Sequence, residues 1–145
     1  MKEGVWKWSN LLPLLLWIGM IVWVASRPKA YFFPEPRIMY GLPRQLLQYP
    51  YHVGVFFVLA VLFLRCFSPY GDSQDDRRSE ALTVLGSMLV SGCSELIQFY
   101  VPTRTPAVRD LVLDLLGVLL GIFFMRRLLR PTGETLAGRV IEDVE

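Results

Sequence analysis

Long apolar runs alternate with short polar intervals along this chain. No charged residue falls within 8–26 or within 45–64, and both runs approach the ~20 residues that cross a bilayer as a helix. Two more helical runs follow, so the predicted helices cover about 8–25, 51–67, 81–100 and 108–125 within a single domain over 1–145. Short connections make consecutive helices antiparallel. The predicted fold is therefore all-α, a polytopic bundle of four transmembrane helices. Trp6, Trp8 and Trp23 stand near the ends of the first run, where indole rings favour the membrane interface, and Pro13 falls early enough in it to be tolerated.

The intervals read differently from one another. Between 26 and 49, Pro28, Pro34, Pro36, Gly41 and Pro43 punctuate the chain too often for a regular element. The same stretch carries Tyr31, Phe32, Phe33 and Tyr40, which suits a loop lying on the membrane surface or a plain connector with interfacial anchors. The hydrophilic stretch 68–78 reads as a solvated turn, and the tail 131–145, after Pro131 and Gly133, as flexible. The start, with Lys2 and Lys7 before an apolar run ending Val24-Ala25-Ser26, resembles a secretory signal with a small-residue cleavage site. Its length favours a retained span.

Composition agrees with a membrane setting: of 145 residues, 53% are hydrophobic and 19% charged, and mean hydropathy is +0.40, richer in apolar residues than ordinary soluble domains. The net charge of +2, with basic residues at the ends of apolar runs, leaves no nucleic-acid footprint. Cys66 and Cys93 form no disulfide framework and read as small buried side chains. Lys2, Lys7, Arg65, Arg77, Arg78, Arg126, Arg127, Arg130 and Arg139 gather on one side, against Arg27, Lys29, Arg37, Arg44, Arg104 and Arg109 on the other. The positive-inside rule then puts both termini in the cytoplasm, and the connection between the third and fourth helices on the outer face.

That connection is flanked by polar groups that are costly in an apolar context. On the third helix Ser87, Ser91, Ser94, Glu95 and Gln98 share one face, and on the fourth Asp110, Asp114, Gly117 and Gly121 share another. The glycines form a small-xxx-small pair that lets a neighbouring helix approach closely. Together the two faces predict an outward-facing acidic cleft, partly neutralised by Arg104 and Arg109; the alternative is a structural network stapling the two helices. Asp110 also suits a helix's first turn, where its charge meets the dipole. His52, the only histidine, reads as an interfacial cap or as a catalytic assistant. There is no glycine-rich phosphate loop, no G-x-S-x-G elbow and no zinc-type Cys/His spacing. No cofactor is expected, and the nearby arginines argue against a metal held by Glu95, Asp110 and Asp114.

The ordered set Ser94-Glu95-x-x-Gln98, Pro102, Arg104, Asp110-x3-Asp114-x2-Gly117-x3-Gly121 resembles the VanZ-like membrane proteins. Their pattern is E-x-x-Q, a short loop often with Pro and Arg, and D-x3-N-x2-G-x3-G. The resemblance covers roughly 52–125, and this chain carries Asp114 where the family commonly has Asn. It implies a small bacterial inner-membrane protein with several helices; the family's namesake is associated with low-level resistance to teicoplanin, a lipidated glycopeptide acting at the outer membrane surface.

The leading expectation is a binding protein rather than an enzyme. Glu95, Gln98, Arg104, Asp110 and Asp114 would contact a polar group on a membrane lipid, a lipid-linked envelope precursor or a lipoglycopeptide, with Arg104 meeting an anionic group bidentately. A membrane-embedded hydrolase or transferase using Glu95 or Asp110 as base, assisted by His52, is the alternative. Proton-coupled transport comes third, since the inner halves of the helices carry no matching acids. Oligomeric state is not legible.

Overall fold

A computed structural model describes residues 3–28, 38–39, 42–67, 75–102, 104–105 and 107–129, with the backbone alone at 3–9, 38–39, 42–47 and 75–76. Most of the aromatic loop (29–37 and 40–41), the turn 68–74, Pro106, the tail from 130 onward and the side chains of Trp6 and Trp8 lie outside the described residues. Four long helices carry the fold: α1 (Glu3–Ala25), α2 (Arg44–Phe67), α3 (Asp75–Phe99) and α4 (Val108–Leu129). The all-helical class is as expected. Among the described residues, Gln48–Phe67 and Arg77–Phe99 are long and apolar enough to cross a membrane.

The helices outrun their predicted limits, each for a physical reason. α2 begins at Arg44, not near 51, and runs through Pro50. Proline removes one backbone donor and opposes the preceding turn, but contacts from α4 to Gln48 and Tyr49 hold those turns in place. Just before it, β1 (Ile38–Met39) pairs antiparallel with β2 (Leu42–Pro43), Met39 opposite Leu42, so the supposed loop ends in a minimal hairpin and a helix start. α3 begins at Asp75, inside the expected solvated turn; Ser79 Oγ donates to Phe67 O (3.0 Å) and fastens its first turns to the end of α2. α4 continues to Leu129 because Arg126 and Arg127 in its last turn complement the helix dipole.

Consecutive helices are antiparallel, but the most extensive contact is between α2 and α4, which run parallel. A Cβ on Gly121 would stand 2.8 Å from Phe57 O and 2.9 Å from the Ala60 Cβ, and one on Gly117 would strike the Val53 carbonyl. Only glycine allows that approach. The glycine pair therefore joins α4 to α2, two elements separated in sequence by the whole of α3. Below it lies the apolar core, with Phe56, Leu59, Ala60 and Phe63 of α2 against Val118 and Ile122 of α4 and Leu14 and Ile21 of α1. α1 packs on α2 and α3, anchored by Trp17 Nε1 donating to Val55 O (3.1 Å). The cysteines depart from expectation: Cys66 is half-buried and Cys93 exposed, because Cys93 falls on the face of α3 opposite its inward polar residues.

Candidate functional site: a buried acidic seam

α3 turns one polar face inward along nearly its whole length. Ser79, Thr83, Ser87, Ser91, Ser94, Glu95 and Gln98 are all buried, so the stripe begins two turns earlier than the sequence pattern suggested. Towards its lower end Thr83 Oγ1 bonds back to Ser79 O (2.8 Å), while Ser87 Oγ is buried without a hydrogen bond among the described residues. At its upper end the stripe meets α4.

There Asp114, 1% exposed, is the hub. Its Oδ1 accepts from His52 Nδ1 (2.8 Å) and its Oδ2 from Ser91 Oγ (2.5 Å), so one carboxylate ties α4 to α2 and α3 together. A nitrogen facing a carboxylate at that distance is the protonated one, which leaves Nε2 turned towards Asp110 Oδ2, 3.8 Å away. Gln48 Nε2 donates to the same Oδ2 (3.5 Å). Asp110 Oδ1 is buried and accepts no hydrogen bond among the described residues; Arg109 Nε stands 3.6 Å from it, beyond hydrogen-bond length.

Glu95 sits beside this group. Its Oε2 accepts from the Ala107 amide (3.0 Å) and its Oε1 from Gln98 Nε2 (3.4 Å), so it holds the α3–α4 connection against the end of α3. It is close enough to share an electrostatic environment with His52, Asp110 and Asp114. The glycine contact explains the assembly: with Gly117 and Gly121 seated on Val53 and Phe57, the preceding turns of α4 must face the preceding turns of α2, where Gln48 and His52 project.

The site expected from sequence is thus brought together in large part. Asp110 and Asp114 converge, with Glu95 and Gln98 adjacent, but the residue they surround is His52, which lies inside α2 as a bridging group and not at a helix start as a cap. Arg104 is directed elsewhere: its Nε donates to Arg27 O (2.8 Å) and its Nη2 to Val24 O (2.9 Å), adding donors to carbonyls at and just beyond the end of α1, where the helical ladder runs out. Arg109 stays at the rim. Gln48 was missed, although its spacing of four from His52 was a signal of a second polar face. No group of three His, Cys, Asp or Glu among the described residues is disposed to hold a metal ion.

A family model described as VanZ/LLP1 matches residues 7–130. The chain belongs to the VanZ/LLP1 family. No curated protein and no solved structure matches it. The family match takes in the first helix, which the motif resemblance alone did not reach. In this VanZ/LLP1 chain the motif residues contribute in separate ways. Gly117 and Gly121 set the interhelical distance, Asp114 locks three helices, and Glu95 holds the turn. Asp110 keeps one acceptor unused among the described residues.

Proposed function

We propose that this VanZ/LLP1 protein is a multi-pass protein of the bacterial cytoplasmic membrane, with both termini in the cytoplasm. Its acidic seam receives hydrogen-bond donors on the polar head of an envelope amphiphile, whether a lipid, a lipid-linked precursor or a lipoglycopeptide. The observation that carries this reading is Asp110 Oδ1, a buried carboxylate oxygen without a hydrogen bond among the described residues. Leaving such an atom unpaired costs about 1–3 kcal/mol, and a site that a ligand completes accounts for it. Exposed Leu85, Leu89, Leu96, Leu119 and Phe123 on α3 and α4 supply an apolar exterior suited to lipid, and the loop distribution of Lys and Arg supports the orientation.

A second reading has its own support. His52 Nδ1 fixed on Asp114 at 2.8 Å is the arrangement of an oriented base, which suits a hydrolase or transferase acting on the same head group. One variant series separates the readings. Asp110→Asn and Glu95→Gln, at matched membrane abundance, should lose both the co-purifying amphiphile and the envelope phenotype, including glycopeptide susceptibility. Unchanged function at normal abundance would remove the site, and loss of the protein itself would make it a clasp. In the same series His52→Ala should eliminate a lipid product seen in wild-type membranes if the protein is an enzyme, and change no lipid species if it is a binder.

A further inference from the structure

We infer that the group received at Asp110 is a primary ammonium, and that Arg109 occupies its place as a tethered, displaceable cation. This deepens the head-group reading and rests on it. The sign of the charge follows from the neighbours: Asp110, Asp114 and Glu95 surround one imidazole, and Arg104 spends two of its donors on α1 carbonyls. An anionic group would enter against three carboxyls; a cation enters with them.

Arg109 marks where that cation sits. Its Nε is 3.6 Å from Asp110 Oδ1, its Nη1 donates to the Tyr49 hydroxyl (3.1 Å), and its guanidinium lies 5.0 Å from the centre of the Tyr49 ring. One position therefore combines a carboxylate oxygen, a phenolic acceptor and an aromatic face. The arginine fills it poorly: the side chain is 49% exposed, the pair is too long for a hydrogen bond, and half-exposed ion pairs contribute little. A compact –NH3+ carries three donors on one centre. It closes on Oδ1 at ordinary charge-assisted distance, takes the Tyr49 hydroxyl as a second acceptor, and releases Arg109 to solvent.

The orphaned oxygen also selects among cations. A quaternary ammonium brings charge and favours an aromatic face, yet it has no N–H and leaves Oδ1 unsatisfied. Methylation of the amine is thus the change that the site resists.

The test uses the full chain in lipid nanodiscs or micelles, titrated with dioleoyl phosphatidylethanolamine and dioleoyl phosphatidylcholine and read by native mass spectrometry. The ethanolamine lipid should bind at least about tenfold tighter, the equivalent of one charge-assisted hydrogen bond. Asp110→Asn should abolish that preference, and Arg109→Gln should strengthen ethanolamine-lipid binding several-fold. Competition by free ethanolamine would show that the amine alone suffices, and its failure that the acyl chains are needed; both support a primary ammonium. Equal binding of the two lipids, weakened alike by Asp110→Asn, overturns the ammonium and leaves the head-group reading standing. Binding untouched by Asp110→Asn overturns both. If Asp110→Asn does not fold, Arg109→Gln decides alone, and unchanged ethanolamine-lipid affinity in that variant overturns the proposal.

Discussion

Both ends of the bundle place acids beside bases, with different results. At the upper end Asp110 and Asp114 are buried, share His52, and engage Gln48 and Ser91 across α2, α3 and α4. At the lower end Glu80 of α3 and Arg126 of α4 meet through both guanidinium donors, with the arginine side chain half exposed. In the lower pair two guanidinium donors meet two carboxylate acceptors. The upper group is fully paired at Asp114 and underpaired at Asp110. The lower arrangement joins two helices with one exposed pair; the upper one joins three, buries its carboxylates, and leaves one acceptor without a hydrogen bond among the described residues.

Substitutions can break or sharpen this contrast. The largest effect belongs to the contact that sets the upper end in register. Gly117→Ala drives a methyl into the Val53 carbonyl, which is backbone and cannot swing aside; a loss of about 3 kcal/mol is expected, read as a fall in melting temperature and membrane abundance. Gly86→Ala is its control, because a Cβ there meets side chain and not backbone: the far end of the Phe63 ring, at 2.9 Å, which can shift where a carbonyl cannot. Next comes Asp114. Asp114→Ala strands His52 and Ser91 and should cost about 2–3 kcal/mol, whereas Asp114→Asn keeps an oxygen for Ser91 and offers an amide hydrogen to a neutral His52, and should cost less than about 1 kcal/mol. Equal losses in the two variants would mean that the charge itself holds the helices. The smallest effect lies below: Arg126→Gln should shift stability by less than about 1 kcal/mol in thermal unfolding. A larger loss there would erase the distinction between the two ends.

Much of this was legible in the sequence because it rests on local period. Asp110, Asp114, Gly117 and Gly121 had to share a face whatever they packed against, and Ser91, Glu95 and Gln98 likewise. Which helix received the glycines was not legible: nothing local to α4 says that its partner is α2 and not the adjacent α3. That ambiguity hid the role of His52, whose meaning depends on what arrives 62 residues later. Gln48 was lost because the predicted helix begins at about 51, whereas tertiary contacts carry α2 back through Pro50 to Arg44. Arg104 shows the converse limit, since a basic residue in a polar loop looks available until the carbonyls at the end of α1 claim it.

The parallel contact between α2 and α4 also constrains how the chain can be made. α2 leaves the ribosome before α3, and α4 after both, so His52 and Ser91 are made before the carboxylate they finally share. Until α4 packs, the inward face of α3 is a row of hydroxyls, one carboxyl and one amide without its cover, and polar groups left unpaired there are expensive. A chain halted before Val108 would display that row to the cell's proteolytic surveillance. In this protein the final helix certifies that the others are finished.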